Sequence, residues 1–465
     1  MNTTSSSVLR SRAALLSQRS LLVAGLCAAL SACGGGDSKS PVDITPDAAV
    51  TDVGPVEDAN PNADVPTGGA PVADVGPGVD ATPPDMGPTG PECPPATGYG
   101  LLANPVAITS NATGAHSPRA VWNGMEWGVV SFAPAGNNVG DVQFQRVNAM
   151  GQPVGASQTL GRARLPKYEV TWNGGGYVIA WLGDRDPVSG FTGIRVQLTG
   201  ADGTPIDAPT EIADTFDADR IALGWAQLSG GLVLFTRGNA GTGGLFAQTL
   251  DEGGQTFGPR VTLSPTRATS PHVVFGNGNW GAAWLTPGAN SLFDLNFALL
   301  GENGAVDRVS QLPNNAGAQS GIALAYGNDT FGLGWSHVDE AGTVETRLSI
   351  IAGDGSVQAT PTVQGATGIS VVSDVTWHEP EFFGVAWDDI GGGAQRVGVT
   401  RINTVGVGLD PVTIDPPAGA VARGANSAGT VSNLGVFYTL DPTPTPSGIS
   451  AGAQVYLGRI GACRR

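Results

Sequence analysis

The sequence predicts an all-β fold, a seven-bladed β-propeller preceded by a signal peptide and a disordered linker, on three observations. A pattern of aromatic, Asn-Gly turn, aromatic-Gly, two small or apolar residues and aromatic recurs along the chain. Its last positions are Ser131, Trp181, Phe235, Trp284, Trp335, Trp387 and Tyr438, about fifty residues apart. Of 465 residues, 70 are glycine and 34 proline, and only 14% are charged. That composition opposes long helices, because glycine costs about 1 and proline about 3 kcal/mol inside one.

The elements of each unit follow in order. Trp122-Asn123-Gly124-Met125-Glu126-Trp127 and Trp172-Asn173-Gly174-Gly175-Gly176-Tyr177 place Asn-Gly between two alternating runs, as does the copy at Phe275–Trp284, while the copy at Tyr326–Trp335 has Asn328-Asp329 there. Such a dipeptide between period-two runs predicts a hairpin, so each pair of runs forms adjacent antiparallel strands. A third alternating run follows, for example Val142–Val147 or Ile194–Leu198. A turn such as Ala201-Asp202-Gly203-Thr204 or Gly353-Asp354-Gly355-Ser356 then leads to a short fourth strand. Four antiparallel strands repeated at this period describe a propeller blade, and closing the ring of blades removes exposed edges. The last unit ends after its third strand, Ala453–Ile460, while Leu101–Thr109 reads like a fourth strand without a unit. The two are expected to pair.

The N-terminus carries an address. Arg10, Arg12 and Arg19 precede the short apolar run Leu21–Leu30, too short for a membrane span, and residues 1–32 read as a signal peptide. The run ends in Leu30-Ser31-Ala32-Cys33, which resembles the lipobox of bacterial lipoproteins. The resemblance implies cleavage before Cys33 and its acylation, with more than one chain giving a stable membrane anchor. Gly34 follows where an Asp would resemble an inner-membrane retention signal, which favours the outer membrane, facing the periplasm or the cell surface. Residues 33–92 resemble the Asp/Pro-rich stalk of such lipoproteins: Gly34–Glu92 holds no aromatic residue, and eleven acids face Lys39 alone. Such a segment cannot bury enough apolar surface to fold, and self-repulsion extends it. Residues 93–465 are left for the propeller, which resembles no named repeat family. With Cys27 removed and Cys33 acylated, Cys93 and Cys463 remain, and in an oxidising envelope they are expected to form one disulfide.

Function is less legible. The net charge of −17 disfavours nucleic acid as a partner. Gly276–Gly281 matches G-x-G-x-x-G, but it lies on a hairpin with no helix behind it, so it reads as a turn. No catalytic, calcium or zinc motif stands out, and no cofactor or metal is expected. The ten tryptophans all fall on repeat positions and read as packing residues, and the charged loops, Asp388-Asp389 among them, read as solvated. Three residues before the inner aromatic stand Arg119, Glu169, His272 and Asp374 in different units, with alanine in two others. These four, near the channel mouth, are either a paired structural network or a ligand site. The expectation is a monomeric, non-enzymatic binding or protein-interaction module on a lipid anchor, taking an unknown protein or a small polar ligand. The alternative is a propeller enzyme, such as a glycoside hydrolase or lyase, using channel carboxylates.

Overall fold

Alternation of apolar and polar residues around tight turns dictates local hairpins, and in the computed structural model these become five hydrogen-bonded antiparallel sheets. The structure describes residues 99–462 except 111, 137–138, 185–192, 228–229, 239–242, 289–292, 313–317, 339–341, 365–368, 379, 392–394, 410, 431 and 445–448. Cys33, Cys93 and Cys463, the signal peptide and the linker therefore lie outside the described residues.

The chain meanders outward from an inner strand, then returns to begin again. His116–Trp122, Glu126–Gly136, Val139–Asn148 and the first half of Pro153–Trp172 form one meander. The second half of Pro153–Trp172 opens the next, followed by Tyr177–Gly183, Ile194–Leu198 and Thr210–Ile212. Further meanders begin at Ala218–Ala226, Thr269–Gly276, Ala318–Gly327, Ser370–His378 and Val421–Thr430. Each of these inner strands packs on the next, and Val421–Thr430 packs on His116–Trp122. The arrangement is all-β and propeller-like.

The last sheet is completed from the other end of the chain. Val106 and Ala107 pair with Leu457 and Tyr456 of Gln454–Ala462, and Tyr99–Leu101 pairs further along the same strand. The expected pairing of the two chain ends is thus present, but split into two short pieces around Pro105.

The core is not a single mass. Apolar clusters lie between consecutive meanders, and one joins the first to the last through Ile108, Trp127, Val129, Phe437, Val455 and Leu457. The repeat aromatics are its large pieces: Trp127, Trp181, Trp280, Trp335 and Trp387 are at most 2% exposed. Glycine is required where rings lie flat on a neighbouring strand. A Cβ on Gly327 would come within 1.9 Å of the Trp377 ring, and one on Gly276 within 2.1 Å of Tyr326. The turns differ in kind although they share Asn-Gly. Asn277-Gly278 is a two-residue turn with both φ positive, 52° and 72°, whereas at Asn123 the side chain accepts from Met125 N and Glu126 N to close a longer loop.

Candidate functional site

The inner strands share a local irregularity that period-two reading does not reveal. In every inner strand the pairing register shifts near its start, for example between His116 and Arg119, Thr269 and His272, Val372 and Asp374, and Arg423 and Asn426. Several shifts carry a positive φ: Ser117 (55°), Leu165 (66°), Ser270 (51°), Gly321 (68°) and Gly424 (65°). Such a bulge bends a strand and re-aims the side chains beyond it. At Ser117 the uncommon backbone is held from three directions. Its N–H donates to Thr439 Oγ1 at 2.9 Å, its hydroxyl meets His116 Nδ1 at 2.8 Å, and its carbonyl accepts from Tyr168 Oη at 2.5 Å.

What these bulges aim at is a cavity of about 390 Å³ walled by residues of every inner strand. Arg119, Glu169, His272 and Asp374 all line it, so the sequence brings the four together. They are not equivalent. Arg119 Nε lies 3.5 Å from Glu169 Oε1, with side chains 35% and 26% exposed, so this pair faces channel solvent. Asp374 Oδ2 accepts from Ser427 N at 2.7 Å and Ser427 Oγ at 3.2 Å on the neighbouring strand. His272 stands apart from this arc, between meanders that carry Ala222 and Ala323 at the same register.

Electrostatics follow from that placement. Burial works against the charge on Arg119, but Glu169 and Asp374 outweigh it and hold the guanidinium protonated. Burial raises Glu169 more than Arg119 lowers it. Burial lifts Asp374 to about 6 despite the Ser427 N–H and Arg119. Burial, and then Arg119, lower His272 to about 3, so its ring is neutral.

Sequence reasoning missed three features. Asn426, aligned with the four by the hairpin register, also lines the cavity, and its Oδ1 accepts from Ala120 N at 2.6 Å across the first and last meanders. Trp122, Tyr326 and Trp377 line the cavity as well, so these repeat aromatics are wall residues and not only packing. Asp388 is not a solvated loop charge. It is the penultimate residue of the strand Phe382–Asp389 and accepts from Gly424 N at 2.7 Å and Ala425 N at 3.2 Å at the bulge of the last inner strand. The residue after the recurring aromatic does similar work elsewhere: Ser336 Oγ accepts from Val372 N at 3.0 Å, and Thr439 from Ser117. A polar residue directly after that aromatic was the available signal. Among the described residues no group of three or more His, Cys, Asp or Glu is placed to hold a metal ion.

The raised carboxyls give a pH dependence with a definite sign. Asp374 and Asp388 both stand at about 6 against 3.8, burial being the largest cause in each, so the folded state binds their protons more tightly than the unfolded state. Their contribution is complete below about 4 and is lost as pH rises through about 6. Melting temperature measured from pH 4 to 7 should fall across that window. The double variant Asp374→Asn, Asp388→Asn should flatten the fall and regain about 1–3 kcal/mol at pH 7. An unchanged profile would show that neither carboxyl titrates there.

No family model matches the chain, and no curated protein matches it. Among solved structures it is similar to the WD40 domain of Pan2 from Neurospora crassa, at 12% identity and TM-score 0.46, over 79% of this chain and 96% of that one. It is also similar to the polysaccharide lyase Uly1, at 9% identity and TM-score 0.48, over 75% of this chain and 90% of that one. A third is a puromycin-hydrolyzing peptidase of Mycobacterium tuberculosis, at 12% identity and TM-score 0.45, over 77% of this chain. The chain spans 56% of that peptidase's length.

Proposed function

We propose that the chain is a lipid-anchored binding module of the bacterial cell envelope, a seven-bladed β-propeller whose ligand seat is its axial cavity. The observation that carries the reading is the cavity itself, walled by all inner strands, charged at one register and aromatic three residues further on. A pocket of this volume with a few convergent polar groups is the usual form of a small-molecule site. Seven blades are supported by the apolar clusters between successive meanders and by the cluster that joins last to first. On this reading Cys33 carries the acyl anchor in the outer membrane and residues 33–92 hold the propeller clear of the lipid.

Arg119→Ala and Asp374→Ala separate a ligand site from a structural network. In a thermal-shift screen of small polar compounds, hits on the full chain should lose at least tenfold in affinity in both variants, with ligand-free melting temperatures within a few degrees of the parent. A collapse of melting temperature instead, as when a buried ion pair loses one partner, would make the ring structural. Two carboxyls held above their ordinary range in one cavity, Glu169 and Asp374, also suit an enzyme. Turnover of a hit, abolished by Glu169→Gln, would replace the binding reading.

The envelope address and the disulfide are tested together. Cys33→Ala should move the protein from the membrane fraction to the soluble fraction, and retention on the membrane would exclude lipidation as the anchor. A Cys93–Cys463 bridge is supported by the pairing of Tyr99 with Ala462, the residue before Cys463. Nonreducing peptide mapping should recover the two cysteines in one linked fragment. Free thiols at both would refute the bridge.

A further inference from the structure

The cavity's polar groups are of two kinds, and each is held from behind. Asn426 is 6% exposed, and its Oδ1 is engaged by Ala120 N at 2.6 Å. Its Nδ2 has no partner among the described residues and is left to the cavity that Asn426 lines. Glu169 gives Oε1 to Arg119 and has Oε2 besides, while Asp374 gives Oδ2 to Ser427 and its carboxyl also accepts from Val375 N, with lone pairs to spare for a further donor. Two donors, Asn426 and Arg119, thus stand between two acceptors, Asp374 and Glu169, along one arc of successive inner strands.

Ligand charge is constrained by the same arc. Arg119 is offset by Glu169 at 3.5 Å, and Asp374 and Lys167 act on the same pair, so the charges there balance and an anion finds no net attraction. A cation meets Arg119 and leaves the Asn426 donor unpaired, which costs affinity. Vicinal hydroxyls donate and accept at once, and planar amide, carboxylate and guanidinium groups engage them in pairs. Beyond the arc the walls turn apolar, with Val121, Val170, Leu223 and Val273, and end at Trp122, Tyr326 and Trp377. The inner strands rise about 3.3 Å per residue, which sets that aromatic end about 10 Å from the charged register, room for a ring whose apolar face rests on aromatic carbon.

We propose that the cavity takes a neutral, polyhydroxylated ligand of sugar size, with Asn426 and Arg119 donating, Glu169 and Asp374 accepting, and Trp122, Tyr326 and Trp377 forming its apolar end. The proposal rests on the reading of the cavity as the ligand seat and names the chemistry that seat selects.

The test is saturation-transfer NMR with the full chain and three sets of probes: glucose, N-acetylglucosamine and cellobiose; choline and putrescine; glucuronate and inorganic phosphate. The expected result is saturable binding of a neutral sugar. It should weaken about tenfold or more in Asn426→Asp, which keeps the acceptor for Ala120 but loses the amide donor, and likewise in Trp377→Ala. Binding of choline or putrescine that tightens in Asn426→Asp, without sugar binding, would keep the ligand seat and overturn the sugar assignment. Glucuronate or phosphate binding that is sensitive to Arg119→Ala, again without sugar binding, would do the same. Sugar binding indifferent to all these variants would place the sugar elsewhere and overturn the assignment. No binding in any set would overturn both the assignment and the seat.

Discussion

Trp127→Ala is expected to lower the free energy of unfolding by about 3–5 kcal/mol, the range for truncating a buried aromatic. Trp127 is fully buried, and its indole N–H donates to Ala428 O at 2.9 Å, from the first meander to the last. Its ring meets Phe437 edge-on at 5.8 Å, also on the last meander. The substitution therefore opens a cavity and strands a buried carbonyl at the junction between the first and last meanders, where the two ends of the propeller-like domain meet. In a domain this large, melting temperature should fall by roughly 5–10 °C. Trp127→Phe separates the two effects: it keeps much of the volume and loses only the donor, with an expected cost of about 1–3 kcal/mol. A loss below about 1 kcal/mol for Trp127→Ala would show that the first and last meanders are not held together there.

Removing the chain through Thr109 is the second large effect. That segment buries Tyr99 and Ile108, 5% and 7% exposed, and places the Tyr99 ring 3.4 Å beneath the Arg401 guanidinium. It also satisfies the edge of Gln454–Ala462: Leu102 N donates to Arg459 O and Ile108 N to Val455 O, each at 2.8 Å, and Thr109 Oγ1 accepts from Val455 N at 2.9 Å. Burying two such side chains contributes about 1.5–3 kcal/mol each, so the truncation should cost about 3–6 kcal/mol. It also bares a strand edge, a template for pairing with a second chain. Calorimetry should show the lower melting temperature and light scattering should show self-association. A peptide spanning 99–109 added in trans should reverse both. An unshifted, monodisperse truncation would mean that the last sheet stands without its N-terminal strands.

The candidate site was legible only in part. Arg119, Glu169, His272 and Asp374 stood out because a charged residue at a register otherwise held by alanine breaks the repeat. Asn426 did not stand out, because the last unit lacks the inner aromatic that serves as ruler elsewhere: Gly429 and Thr430 occupy the end of that strand. Asp388 was misread for a related reason. An acid after an aromatic at a strand end looks solvated in one dimension, and its partners, Gly424 and Ala425, lie 36 and 37 residues away.

Strands, turns and repeat period were determined by the sequence alone, because they depend on neighbours within a few residues. Alternation selects extended backbone, Asn-Gly selects the tight turns, and recurrence of both predicts similar units. The pairing of Leu101–Thr109 with the final strand was also foreseeable, since one element lacked a unit and one unit lacked an element. Only the tertiary structure decided which side chains face the cavity. That choice depends on bulges with positive φ at Ser117, Leu165 and Ser270, and at Ser117 the backbone is sustained by hydrogen bonds from neighbouring meanders rather than by the residue's own preference. It also decided that Trp122, Tyr326 and Trp377 serve as cavity wall, because a ring at a repeat position packs or lines according to the room that neighbouring glycines, such as Gly276 and Gly327, leave for it.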